Sequence, residues 1–189
     1  KMIKLVKSTF FKEQQTKKKL VDFILRSDML SMGEETRKFE ENFAKKQERK
    51  FAVFTNSGST ANLVLLQALV NLGRIKPRAR VGISAVTWAT NVMPVIQLNL
   101  VPVAIDCELD TLNVSPASLK KHLPKLDVLF LTNVLGLADD IATIAKLCRQ
   151  RGIGFIEDNC ESLGSRTAGK LLGNFGLARV NYYQILFGR

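Results

Sequence analysis

The chain has 189 residues, 46% apolar and 24% charged, with 12 Gly and 5 Pro, which excludes a disordered, collagenous or cysteine-stapled chain and fits one sizeable globular domain. Its net charge of +11 is concentrated at the front, where residues 1–50 hold 14 Lys and Arg against 8 Asp and Glu; without a zinc finger, an RNP-like motif or interleaved aromatics, this excess reads as solvated helix faces such as Lys17-Lys18-Lys19, not as a specific nucleic-acid surface. No apolar run approaches the roughly 20 residues of a membrane span, and Lys1 to Lys12 lacks the apolar centre of a signal peptide, so a cytoplasmic protein without membrane contact is expected.

Residues 13–26 read as an amphipathic helix, with Leu20, Phe23 and Ile24 on one side and lysines on the other. Asp28 to Gly33 breaks it. A second helix starts at Glu34, carries Phe39 and Phe43 at i and i+4, and ends near Lys50. Residues 1–50 thus form an N-terminal helical arm, and 51–189 the main domain. From Phe51 the rhythm changes: strands are expected over 51–55, 81–84, 101–105, 128–132 and 153–157, and helices over 59–72, 90–98, 116–122 and 141–151. This alternation predicts an α/β domain with a mostly parallel sheet flanked by helices, because parallel strands need crossover helices. Ligands in such sheets bind at the carboxyl ends of the strands.

Three constellations lie at those ends. Thr55-Asn56-Ser57-Gly58-Ser59-Thr60-Ala61 joins the first strand to a helix; small hydroxyl residues there leave backbone N–H groups free for a phosphate, or serve as a helix cap through Ser57 or Ser59. The stretch is neither a P-loop nor Gly-x-Gly-x-x-Gly. Ser84-Ala85-Val86-Thr87-Trp88-Ala89-Thr90-Asn91 holds the single tryptophan, a flat surface for stacking on a planar ligand or a rim residue of the core. Ile156-Glu157-Asp158-Asn159-Cys160-Glu161 closes an apolar strand with two adjacent acids that strand alternation sends to opposite faces. A carboxylate at such a position can hold a heterocyclic nitrogen protonated. Cys107, Cys148 and Cys160, odd in number and without a Cys-x-x-Cys pair, suggest neither disulfides nor zinc, and the lone His122 has no metal-ligand partner.

In this order the three motifs resemble the N-terminal part of the DegT/DnrJ/StrS sugar aminotransferases, and the likeness runs from Lys7-Ser8-Thr9-Phe10 to Leu172-Gly173-Asn174-Phe175-Gly176. Within that family, Asn56-Ser57-Gly58-Ser59-Thr60-Ala61-Asn62-Leu63 and Ile156 to Glu161 are most similar to the branch of CDP-4-keto-6-deoxyglucose 3-dehydrases of lipopolysaccharide deoxysugar synthesis. The resemblance implies the large domain of the pyridoxal-phosphate (PLP)-dependent transferase fold, the aspartate aminotransferase fold type I. It implies pyridoxal or pyridoxamine phosphate as cofactor, a nucleotide-linked keto-sugar as substrate, and a homodimer. It places the cofactor phosphate on Ser57, Gly58, Ser59 and Thr60, largely through backbone N–H groups, Trp88 on the pyridine ring, Asp158 on the ring nitrogen and Glu161 near the ring hydroxyl. Sugar aminotransferases usually carry Gln where Glu161 stands, which again points to the dehydrase branch.

Beyond Phe175-Gly176 the likeness fades. Counted without gaps, the family's phosphate-binding serine falls on Tyr182, and its Schiff-base lysine, a histidine in the dehydrases, falls on Phe187, which can neither form an imine nor move a proton. Family members are about twice as long, so a truncated chain without the C-terminal small domain is expected. The spacing of the three cysteines does not suit the iron–sulfur cluster of the dehydrases, and none is expected here. A nucleotide-sugar aminotransferase is one alternative, and a non-catalytic relic that associates through the family's dimer surface is the other.

Overall fold

The computed structural model describes residues 10–181 and 184–187. Two compact units divide between Phe39 and Glu40. In the first, helix α1 (Glu13–Arg26) places Glu13 in its first turn and Arg26 in its last, where each complements the helix dipole. Helix α2 (Glu34–Lys46) carries the division, and it stops four residues short of Lys50. The composition puts a boundary at residue 50. The structure gathers residues 40–50 into the second unit, where Gln47 and Arg49 are buried polar side chains bonded to residues 173–179.

The second unit follows the predicted alternation. In chain order it comprises β1 (Phe51–Phe54), α3 (Gly58–Asn71), β2 (Arg80–Ser84), α4 (Ala89–Gln97), β3 (Val101–Ile105), α5 (Pro116–His122), β4 (Val128–Thr132), α6 (Ile141–Gln150) and β5 (Gly154–Asp158). Four further strands complete it: β6 (Arg166–Thr167), β7 (Lys170–Leu171), β8 (Ala178–Asn181) and β9 (Gln184–Phe187). The main sheet has the order β1-β9-β8-β5-β4-β2-β3, with β6 and β7 forming a separate ribbon. Strands β8, β5, β4, β2 and β3 are mutually parallel, and β9 alone runs antiparallel, to both β8 and β1.

Strands β8 and β9, in a stretch for which the sequence predicts no element, therefore form the antiparallel pair that seats β1 in the sheet. Its β8 arm is recruited by register: Ile156, Glu157 and Asp158 of β5 face Ala178, Arg179 and Val180.

Strand alternation sorts the core into two layers. Val128 and Phe130 of β4 join Ile156, Val180 and the α3 stripe Ala61, Leu65 and Leu69 on one face. Leu129 and Leu131 join Phe155 and the α6 stripe Ile141, Ile144 and Cys148 on the other. Leu65, Phe130, Leu129 and Ile144 are fully buried, each contributing roughly 1.5–3 kcal/mol of apolar transfer energy. The helix starts are capped from within: Ser57 Oγ accepts Thr60 N–H, Ser115 Oγ accepts Ser118 N–H, and Asp140 accepts Thr143 N–H.

The chain leaves β2 for β3 on one side and returns to β4 on the other. This reversal makes a switch point, and the crevice beyond the carboxyl ends of β2 and β4 is where an open α/β sheet receives a ligand.

Candidate active site

Three segments meet around that crevice. Ser57 begins α3, with its Oγ accepting Thr60 N–H at 3.1 Å and donating to Thr60 Oγ1 at 3.0 Å. Capping by Ser57 is therefore compatible with free backbone amides at the start of the helix. The Thr60 amide is spent on the cap, whereas the amides of Gly58 and Ser59 have no intrahelical acceptor and the exposed Ser59 adds a hydroxyl.

After β2, Trp88 sits at the N-cap of α4 with 56% of its surface exposed, so an indole face is open to a planar partner. Thr87, in the turn between β2 and α4, and Thr132, the last residue of β4, bond through their hydroxyls at 2.6 Å.

At the end of β5 the two adjacent acids part as strand alternation requires. Glu157 is fully buried and turns away from α3. Its Oε2 accepts Gly173 N–H at 2.6 Å, and its Oε1 accepts Phe175 N–H at 2.8 Å and Gly176 N–H at 2.6 Å. Burial pushes this carboxyl above its ordinary range, against the three amides and the Arg49 charge, which favour the ionised form.

Arg179 donates to Leu172 O and to both oxygens of Gln47, and Arg49 donates to the carbonyls of Gly173 and Gly176. Burial, and then the repulsion of Arg49, lower Arg179 to about 10. Glu157 thus latches the segment 173–176 against the sheet.

Asp158 faces the other way, toward α3 and α4. Its carboxylate is 1% exposed. Oδ2 accepts Asn91 Nδ2 at 2.6 Å and Asn62 Nδ2 at 3.5 Å, and Oδ1 accepts Cys160 N–H at 2.9 Å. All these donors are neutral, and no ion pair involves Asp158 among the described residues. A buried carboxylate is normally matched by a cation, and the described residues do not supply one here.

Cys160 next door is a poor nucleophile, since burial and then the Asp158 and Glu161 carboxylates hold its thiol far above the usual range. Glu161 is exposed at the rim, with Oε2 accepting Leu135 N–H at 2.8 Å. Among the described residues no group of three His, Cys, Asp or Glu side chains is placed to hold a metal ion.

The DegT/DnrJ/EryC1/StrS aminotransferase family profile matches residues 12–183. The chain belongs to that family. The matched stretch continues past Gly176, where the motif likeness fades. GDP-4-keto-6-deoxy-D-mannose 3-dehydratase of Escherichia coli is 37% identical over 162 residues, which is 84% of this chain and 42% of that protein. dTDP-4-dehydro-2,6-dideoxy-D-glucose 3-dehydratase of Saccharopolyspora spinosa is 37% identical over 163 residues, covering 82% of this chain and 35% of that one. The solved structure of the E. coli GDP-4-keto-6-deoxy-D-mannose-3-dehydratase with bound hydrated PLP superposes with a TM-score of 0.87 at 32% identity, over 98% of this chain and 51% of that one. The chain thus spans less than half the length of these curated relatives, and its fold is that of the fold-type I PLP enzymes.

The structure brings Ser57, Gly58, Ser59, Thr60, Trp88, Asp158 and Glu161 to the carboxyl end of the sheet. Phe187 lies in β9, paired in register with Ala178 and Phe51. Tyr182 lies outside the described residues.

Asn62 and Asn91, the direct partners of Asp158, lie near the ends of two of the quoted motifs, but the sequence assigns them no role of their own. Their signal is a polar residue on an apolar stripe, Asn62 preceding Leu66 and Leu69, and Asn91 preceding Pro94 and Val95.

Proposed function

We propose that this chain forms the cofactor-holding part of a pyridoxal- or pyridoxamine-phosphate-dependent nucleotide-sugar enzyme of deoxysugar and lipopolysaccharide biosynthesis, most like a keto-deoxysugar 3-dehydratase. The observation that carries this reading is Asp158, a buried carboxylate surrounded by neutral donors. A protonated pyridine nitrogen is the planar cation such a carboxylate suits. Gly58 and Ser59 hold the phosphate through their amides, with Ser57 shaping the turn and the Thr60 hydroxyl as a further donor. Trp88 covers the ring, and Glu161, steadied by Leu135 N–H, stands near its hydroxyl.

When bound, such a cofactor supplies an electron sink for breaking bonds next to the sugar carbonyl. The role of this chain is to keep the ring nitrogen protonated, to fix the ring against Trp88 and to hold the phosphate. The relatives carry GDP- and dTDP-linked sugars in their names, which favours a nucleotide-linked keto-sugar as the substrate class. Among the described residues no helix is long and apolar enough to cross a membrane. On the family likeness alone we place the protein in the cytoplasm as a homodimer.

Phe187 favours a second reading. With an apolar side chain at the gap-free position of the family's lysine or histidine, the chain binds cofactor or partner without turning over substrate.

The deciding experiment titrates the purified chain with pyridoxal and pyridoxamine phosphate, following near-ultraviolet absorbance and thermal midpoint. Saturable binding that Asp158→Asn weakens at least about tenfold, the worth of a charge-assisted bond, is expected. Equal binding by the two proteins refutes the assignment of Asp158. Turnover of a nucleotide keto-sugar by the chain refutes the non-catalytic reading.

A further inference from the structure

The donors around Asp158 are unevenly shared. Among the described residues Oδ2 takes two carboxamides, Asn91 at 2.6 Å and Asn62 at 3.5 Å, while Oδ1 takes the Cys160 amide, and the Cys160 thiol, a weak donor, also lies against the carboxylate. A carboxylate offers about four lone-pair sites. Oδ2 is therefore filled by amide donors, and the remaining site on Oδ1 is contested only by the weak Cys160 thiol, which a charged N–H outcompetes.

The two carboxamides reach this oxygen from different helices. Asn62 is anchored by a defect in α4: Pro94 has no N–H to give to Thr90 O four residues earlier, and Asn62 Nδ2 donates to that carbonyl at 3.1 Å instead. The same nitrogen faces Asp158. Reversing either amide would set its oxygen against the carboxylate, so both orientations are determined by their acceptors. The consequence is an orphan at each residue, for Oδ1 of Asn62 and Oδ1 of Asn91 are buried without a hydrogen-bond partner among the described residues. Such orphans weaken a fold. Two at one carboxylate indicate a demand other than stability.

We propose that Asn91, assisted by Asn62, is the positioning residue for Asp158: the pair saturates Oδ2 and so presents Oδ1 to the ring nitrogen of a bound pyridine cofactor. This rests on the role given to Asp158 above. In it, Asn91 touches neither cofactor nor substrate, and it acts by fixing which oxygen is offered and in what direction.

The test is a double-mutant cycle on the 189-residue chain with pyridoxal phosphate as the probe, reading the dissociation constant and the pH dependence of the bound-cofactor absorbance. Asn91→Leu is expected to weaken binding about tenfold, the worth of one charge-assisted hydrogen bond, and to lower the pH at which the bound ring nitrogen gives up its proton. In the Asp158→Asn background the same substitution is expected to change affinity by no more than about twofold.

Equal losses in both backgrounds mean a merely structural role and overturn the inference while leaving Asp158 in place. No saturable binding by the unmutated chain, or equal binding by Asp158→Asn, overturns the underlying assignment and the inference with it. Asn91→Ser, shorter and still polar, carries the same comparison if the leucine variant does not fold.

Discussion

Glu157 and Asp158 are consecutive, both buried, and both at the end of β5, yet the protein finishes them in opposite ways. Glu157 receives three backbone amides from a single loop and lies near two guanidinium groups. Asp158 receives neutral amide donors from three different segments and, among the described residues, no cation. The first carboxylate is completed by its own chain, so its effect is spent in holding 173–176 to the sheet. The second has no charged partner among the described residues, and under the proposed function its remaining acceptor capacity serves a ligand. One residue of strand alternation separates an element of the fold from an element of the site.

The largest effect that could break this contrast is at Glu157. Glu157→Gln keeps one acceptor oxygen but turns an NH₂ against an amide donor, and it removes the negative charge beside Arg49 and Arg179. A loss of about 3–5 kcal/mol in urea unfolding is expected. A loss under about 1 kcal/mol would mean that the latch is not where the loop gets its order.

Gly173 probes the same latch from the backbone. Its φ is +88°, and a Cβ there would run into Arg179 Cδ and Nη1 and Asn159 Nδ2. Gly173→Ala is expected to cost about 2–3 kcal/mol, combining the left-handed penalty with overpacking against a buried guanidinium.

Asp158→Asn sharpens the contrast from the other side. It is nearly isosteric, and no ion pair depends on it, so its stability cost should be about 1 kcal/mol while its cost in cofactor affinity is tenfold or more. If Asp158→Asn destabilises as much as Glu157→Gln, the two carboxylates are both structural and the distinction fails.

Much of this contrast is legible in the sequence, though not all for the same reason. The parallel strands and their crossover helices follow from apolar runs of four or five residues alternating with 3.6-residue periodicity, as in Val128 to Thr132 followed by Ile141 to Gln150. That Glu157 and Asp158 part company follows from alternation alone. What each meets does not, because Glu157 closes on residues 16 to 19 positions later and Asp158 on residues 67 and 96 positions earlier. Such partners are fixed by topology, which no local pattern records. Arg179 shows the same limit. In sequence it is one more charge in a stretch of weak family likeness, whereas in the fold it is fully buried, paired in register with Glu157 and bonded to Gln47. The β8–β9 hairpin is hidden for a related reason, since an antiparallel strand that inserts between β8 and β1 owes its place to long-range pairing.

The smallest predicted effect supplies the scale for the others. Asp140 is an exposed carboxylate whose partner is local: as the N-cap of α6 it accepts Thr143 N–H at 3.0 Å. The Thr143 side chain, and then its amide, hold its pKa below the ordinary value. A group whose folded pKa is depressed contributes stability above its unfolded pKa, about 3.9 for Asp, and loses it as the pH falls through the folded value. Asp140→Ala should therefore cost about 1 kcal/mol at neutral pH, with the gap between variant and parent closing below about pH 4. Asp140→Asn, which keeps the cap without the charge, should lose little at neutral pH and show no such closing. Urea unfolding of the three proteins across pH 3–7 measures this directly. A gap that stays constant to pH 3 would show that capping geometry, not charge, carries the contribution. The same series run on Glu157→Gln then separates a carboxylate that works by charge from one that works by shape, which is the difference on which the contrast with Asp158 depends.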